Sequence, residues 1–573
     1  MGAKMKKTGR FDFSIFTQLL AGILAIVAII MAVFSVSSCA TGNSVSEGSL
    51  VSEEKDSFSK ITKEEFLALA KKTAAEEGAE KALLLYSDLP SKYEKDYDIQ
   101  FFKARLLNVT GKLEEAKVIA DSLLLKKSDD EELKALSYSI EKKLFMNALS
   151  LALEKENEEK ALLLYEDLPD LLANDFNLNL VKASLFIACN RLDEAENLCN
   201  LLDGLKADTN EVLELRAEIA SRRGDSKAKN AQLQKLLKKD PYNPEANISL
   251  AKNATVKKSY AQAKQYYQKA LVREPKNEEA LFGLGQIDYY LENDEKSRET
   301  FEKLLKVNPE NDAAYSYLGK LDYAQNKYKK AVDNIEKAIA IDDSNYDYWT
   351  DYGTYLRYTG RFEDAEKAWT RAIEIQPEYF LAYGYRAGLY DEQDRFEEAL
   401  KDYEMVVKLN PDYYFAYESI GILALHEKDY VRAGQAFMEC AKKANAKEVT
   451  NISYPLMITY CYHMLKKPAE AKKYAGKVLA KIKKNDSVEY HMLRMFGDGR
   501  QYANNPLPQK IAAMKSMNER SKMYFYLGLF YDMIAGPGKG KDYYAKALSS
   551  NSPMFFEYRI AEWNIKEAET EDE

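Results

Sequence analysis

Residues Gly536–Asp542 read GPGKGKD, three glycines and two lysines of the kind that can cradle a phosphate. Glycine-freed backbone N–H groups and a lysine ammonium would supply that chemistry. The Walker spacing is missing, however, and no Ser or Thr follows the lysine, so a tight turn is expected here. General-base chemistry has little material. The only histidines are His426, His463 and His491, and none stands near a candidate nucleophile in sequence. Neither GxSxG nor HExxH occurs. The five cysteines, Cys39, Cys189, Cys199, Cys440 and Cys461, form no CxxC and no Cys/His group with zinc spacing. All but Cys39 fall in apolar helical stretches and read as small buried hydrophobes. Carboxylates are plentiful, at the Lys–Glu spacings of three or four that solvated helix faces show. No catalytic residue, metal or cofactor is expected.

The elements around these residues belong to a long chain. Its 573 residues exceed one globular core and suggest several domains or one elongated array. An apolar content of 46% marks it as folded, and 41 tyrosines against 23 phenylalanines mark an unusual aromatic choice. The net charge of −9 argues against a general nucleic-acid binder, which needs basic surface to neutralise phosphates.

The N-terminus reads as an address. Lys4, Lys6, Lys7 and Arg10 precede an apolar run from Leu19 to Phe34, which leads into Val36-Ser37-Ser38-Cys39-Ala40. A basic start, an apolar core and small residues at a cut site describe an export signal. The last residues resemble a bacterial lipobox. That resemblance implies a lipid on Cys39 and cleavage after residue 38. An uncleaved membrane anchor is the other reading, and the run is near the lower limit of roughly 17–25 residues for a spanning helix. Either way, the chain beyond residue 40 is expected outside the cytoplasm, in a bacterial cell envelope. Residues 39–62 then form a polar, flexible tether.

A period of 34 residues organises the rest. Prolines stand at 241, 275, 309, 377 and 411, and position 343 of the same series is aspartate. Ten residues after each marker come Ala251, Gly285, Gly319, Gly353, Ala387 and Gly421. Twelve further on come Ala263, Ser297, Ala331, Ala365, Ala399 and Ala433. Four further again stand Tyr267, Phe301, Ile335, Trp369, Tyr403 and Phe437. This pattern resembles the tetratricopeptide repeat, a 34-residue helix–turn–helix unit. The resemblance implies an all-α, right-handed α-solenoid of about thirteen units, closed by a C-terminal capping helix. In it Gly353 is expected to face Ala365 at a close helix crossing, while Trp369 fills the gap toward the next repeat. Upstream, EKALLLYSDLP (Glu80–Pro90) recurs as EKALLLYEDLP (Glu159–Pro169), an offset of 79 that marks a duplicated two-repeat block. The expected organisation is therefore degenerate repeats over 63–209, a regular array over 210–447 and degenerate repeats over 448–551. A loop is expected near 496–510, and 552–573 forms the cap and an acidic tail.

The resemblance also implies a function, peptide or protein binding in a concave groove lined by the first helices. Its expected lining is Phe282, Gln286 and Tyr289, then Ser316, Lys320 and Tyr323, then Thr350, Thr354 and Arg357, then Asp391. The mixture of aromatic and polar groups suits a recognition surface. The lysine set that some relatives use to clamp a terminal carboxylate is missing, because Ile248, Phe282, Ser316, Thr350, Gly384 and Glu418 take its positions. The expected function is that of a membrane-anchored scaffold for a protein or peptide partner. The alternative is a solute-binding accessory lipoprotein of a transporter, which a deep pocket would favour.

Overall fold

The computed structural model describes residues 61–155, 157–444, 452–501, 506–550 and 555–572. The export signal, Cys39 and all but the last two residues of the tether lie outside the described residues. The described residues form 29 α-helices and no strand. Consecutive helices pack in pairs as in an α-solenoid, and the last, Phe556–Asp572, follows the final pair. That makes fourteen pairs among the described residues, one more than expected. The difference arises near 496–510, where the Val488–Asp498 helix runs on through Phe496 and Leu507–Ala512 is itself helical. The expected loop is therefore shorter, and Gly499, in the left-handed conformation at φ 61°, ends the first of those two helices.

The chain divides into two compact units, Met1–Ala280 and Leu281–Glu573. In the first unit the duplicated block repeats its structure with its sequence. Ala79–Leu84 is a short helix continued by 3-10 turns, and so is Glu158–Leu163. Helices Tyr97–Val109 and Phe176–Ala188 follow at the same offset. Between the two copies of this block runs one long helix, Glu131–Lys155, of 25 residues.

Within the first unit Glu214 carries a pH dependence. Burial pushes its carboxyl up to about 7, Glu245 adds to the effect, and Asn243 Nδ2 opposes it by donating at 3.1 Å. Between about 4.5 and 7 the folded state therefore holds a proton that the unfolded chain has released. Stability from this group falls as pH rises through that window and is fully recovered below about 4.5. Relative to Glu214→Gln, the wild type should gain on the order of 1–3 kcal/mol when pH drops from 7.5 to 5. Denaturant titrations at both pH values measure this, and parallel pH profiles for the two proteins would refute it.

Both units use one hairpin recipe. Second helices end two residues before each marker proline, as at Lys239, Arg273, Val307, Ile375 and Leu409. Several first helices begin at asparagine caps. Asn243 and Asn311 accept from the backbone three residues on, and Asn345 from the backbone two residues on. The turn inside each hairpin needs one residue at positive φ. It is Asn190, Gly224 and Lys258 in the first unit, then Glu292, Asn326, Gly360, Asp394 and Lys428 in the second, all 34 apart.

In the second unit the helix glycines show why they are there. A Cβ on Gly353 would lie 2.6 Å from Trp369 Nε1, one on Gly285 2.8 Å from Phe301, and one on Gly421 2.8 Å from Phe437. The ring sixteen residues on thus lies over the glycine of its own hairpin. The ring packs there in addition to the alanine column, in which Ala365, Ala331, Ala399 and Ala433 are fully buried as the tight packing requires. Trp369 Nε1 also donates to the Thr350 carbonyl at 3.1 Å, and its ring reaches the next repeat by stacking on Tyr385 at 6.0 Å. Gly319 differs because Ile335 replaces the ring. Its Cβ would meet the Ala331 carbonyl at 3.3 Å and Tyr355 at 3.4 Å. Ser297, in the alanine column, bonds the Gly285 carbonyl at 2.9 Å.

The same offset recurs beyond the regular array. Gly528 lies under Tyr544, and a Cβ on Gly540 would come 2.3 Å from the Gly528 carbonyl oxygen. The GPGKGKD stretch is thus the tightest backbone approach in its hairpin as well as a turn. Its Gly540 N–H donates at 2.6 Å to Asp532, which also accepts from Tyr544 at 2.7 Å. A carboxylate of the chain itself takes the place a phosphate would need. Cys199, Cys440 and Cys461 are buried, and burial pushes each thiol up to about 12. Cys189 is only partly buried.

Candidate partner-binding face

Five first helices, Glu278–Tyr290, Asp312–Ala324, Tyr346–Tyr358, Phe380–Glu392 and Tyr414–His426, carry one row of equivalent positions, all of them in the second unit. The row reads Tyr289, Tyr323, Arg357, Asp391 and Leu425. Neighbouring helices are tied across it. Gln286 Nε2 donates to the Tyr317 hydroxyl at 2.7 Å, and Tyr289 meets the Tyr317 ring edge-on at 5.3 Å. Tyr323 stacks on Tyr355 at 5.1 Å and also contacts Tyr328 and Tyr358. Arg357 pairs with Glu392, its Nε donating at 3.2 Å.

Two of the expected lining residues are not at the surface. Ser316 and Thr350 are 3% and 4% exposed and cannot touch a partner. The Thr350 hydroxyl is spent within its own helix, on the Tyr346 carbonyl at 2.8 Å. Their position points into the hairpin because small side chains there let the helices approach. Phe282 lies against Phe301 and Tyr317, so its ring is packing as much as lining. Thr354 is half-buried and bonds the Thr350 carbonyl at 3.0 Å. Lys320, Tyr323, Arg357, Gln286 and Tyr289 stay partly open.

Sequence reasoning passed over Asp351. Its Oδ2 is sealed from solvent without a hydrogen bond, and Lys320 Nζ stands 3.5 Å away. Burial raises its carboxyl above the usual range, against the pull of Lys320. The Lys–Asp spacing of 31 could have suggested the contact only with the repeat register known, since it joins adjacent first helices one turn out of step.

The other addition is the last helix. It covers the final hairpins, where Glu557 is buried and accepts from Ser453 Oγ at 2.5 Å and the Tyr526 hydroxyl at 2.9 Å. It also reaches back to the row. Arg559 donates two hydrogen bonds to the Asp391 carboxylate, at 2.9 and 2.7 Å. Its guanidinium lies over Trp563 at 4.4 Å, and Trp563 meets Phe396 and His426 edge-on at 5.7 and 4.6 Å. Lys428 pairs with Glu567 at 2.7 Å. A half-open pocket of about 550 Å³ lies beside the helix, lined in part by Leu425, Met457, Tyr460, Leu529, Ile560 and Trp563.

The described residues hold no cluster of side chains fit for a metal ion, and no helix among them is long and apolar enough to cross a membrane. Two family profiles, both described as tetratricopeptide repeat, match the chain, one over residues 257–321 and the other over 351–414 and 389–447. No curated protein matches it. Among solved structures it is similar to YrrB, described as a TPR protein with an unusual peptide-binding site, at 21% identity over 34% of this chain and 97% of that one, with a TM-score of 0.28. It is similar to a tetratricopeptide repeat protein from Parabacteroides merdae at 21% identity, over 44% of this chain and 97% of that one, with a TM-score of 0.34. It is also similar to pilF of Pseudomonas aeruginosa at 20% identity, over 37% of this chain and 94% of that one, with a TM-score of 0.30. Over 257–321 and 351–447 the 34-residue hairpins and both profiles fall on the same residues, and this part of the chain is built of tetratricopeptide repeats.

Proposed function

We propose that this chain is a scaffold, exported and held to a bacterial membrane by a lipid on Cys39, that binds a protein or peptide partner through the Tyr289–Tyr323–Arg357 row. One observation carries the binding half. The same row, at Asp391, already holds a helix by a bidentate arginine pair backed by aromatic rings. Two-point arginine–carboxylate contacts and aromatic side chains are what strong protein interfaces use. The acidic balance of the chain fits a protein partner and no nucleic acid.

Arg357→Ala removes the row's exposed guanidinium without opening a core. Capture of the envelope partner should fall on the order of thirtyfold, the size of a hot-spot truncation. Pull-down from membrane extract measures this, and capture equal to wild type would move the binding face elsewhere. The anchor rests on the apolar run and its terminal cysteine. Cys39→Ser should abolish incorporation of labelled fatty acid and leave a longer, uncut chain. A wild type that never takes up the label would replace the lipid with a spanning anchor.

The half-open pocket beside the last helix supports a second reading, a solute-binding accessory of a transporter. Its volume lies within the range of small-molecule sites, roughly 300–1,000 Å³.

A further inference from the structure

The last helix presents Arg559, Trp563 and Glu567 one turn apart on a single stripe. These meet Asp391, then Phe396 and His426, then Lys428, which together form a seat of acidic, aromatic and basic groups. Asp391 continues the row of Tyr289, Tyr323 and Arg357, so the seat and the proposed partner face are continuous. Two features separate this stripe from an ordinary core contact. Trp563 is only partly buried, whereas Ala561 is fully buried and Ile560 nearly so, at 5% exposed. A half-open pocket of about 550 Å³ also runs along the contact, lined by His426 and Lys428 of the seat and by Trp563 and Glu567 of the helix, where a permanent core contact would be filled to near-crystal density.

We infer that the Asp391–Phe396–His426–Lys428 seat is a receptor for an amphipathic helix carrying arginine, an aromatic and an acid at successive turns, and that the chain's own last helix occupies it in cis. The partner is a protein whose helix carries the same stripe, and it binds by displacing Arg559, Trp563 and Glu567. The inference rests on the reading that the row binds proteins. It adds the partner's chemistry and a built-in competitor. Because a tethered helix competes at high effective concentration, a free one meets an occupied seat until the stripe is released.

The probe is a fluorescent synthetic peptide of residues 553–573, titrated by anisotropy against the full chain. Releasing the tail with Arg559→Ala and Trp563→Ala, which leaves Glu557, Ile560 and Ala561 in place, should tighten peptide binding on the order of tenfold or more over wild type. Adding Asp391→Arg should abolish binding, and a peptide carrying Arg559→Glu should restore it. Absence of peptide binding to a released variant that keeps its helical circular dichroism would overturn the inference. So would dimerisation of the released variant through exchanged tails, which would assign the seat to a second copy. Should the released variant unfold, hydrogen exchange on the wild type decides. Amides at 563–569 must open far more readily than those of Met523–Phe530, and equal protection means a permanent cap. Loss of this result with Arg357-dependent capture intact removes the competitor and leaves the binding role. Loss of Arg357-dependent capture with the peptide still bound does the reverse.

Discussion

Gly540→Ala should destabilise the second unit more than any other single added methyl, by about 3 kcal/mol or slightly more, the upper end of overpacking costs. The new Cβ would meet the Gly528 carbonyl at 2.3 Å, and that oxygen belongs to a backbone held in the Met517–Ala535 helix. Neither backbone at the crossing can turn aside as a side chain can. Gly353→Ala places its methyl 2.6 Å from the Trp369 ring instead, and a ring can shift, so about 1–3 kcal/mol is expected. The two differ in how they can be rescued. Trp369→Leu should recover part of the Gly353→Ala loss, giving a double-mutant coupling between them, while no side-chain change relieves Gly540→Ala. Urea denaturation of the four variants reads this directly. Equal, small effects at both glycines would mean the crossings are looser than their geometry.

Tyr323→Ala should lose about 2–3 kcal/mol of stability, whereas Arg357→Ala stays within about 0.5 kcal/mol of wild type. The two residues hold equivalent positions in successive repeats, yet their surroundings differ. Tyr323 contacts Tyr355, Tyr328 and Tyr358, while Arg357 makes one ion pair at the surface. Row residues can therefore be structural and lining at once, and a triple change across the row would confound folding with binding. Matched denaturation curves for the two single variants separate them, and equal losses would place Arg357 in the core as well.

The hairpins were legible because their signals are residue types at fixed spacing. Proline lacks an N–H, glycine lacks a Cβ, and both columns recur every 34 residues. That the ring also lies over the glycine was not legible. The ring column was visible from Tyr267 to Phe437, but the direction in which Trp369 points follows from the pitch of two helices and leaves no mark in composition. The positive-φ turn stayed hidden for a related reason. At Lys258, Glu292 and Lys428 it is held by long charged residues that carry no turn signal. Gly540 was read as loop because its neighbours Gly536, Pro537 and Gly538 are turn residues. Counting twelve on from Gly528 would have placed it in the alanine column. Of the expected lining, Ser316 and Thr350 failed because offset alone does not say how far a helix has rotated about its axis. The reach of the last helix to Asp391 joins residues 168 apart, and only a three-dimensional arrangement brings them together.

The binding role of the row is tested most directly in the native envelope, by a photo-crosslinking residue at position 357 compared with one at position 363 on the adjacent second helix. Glu363 is exposed but lies off the row. Position 357 should yield a discrete crosslinked protein and position 363 none. A partner joined from 363, with 357 silent, would place recognition on the opposite helices and contradict the row as the binding face.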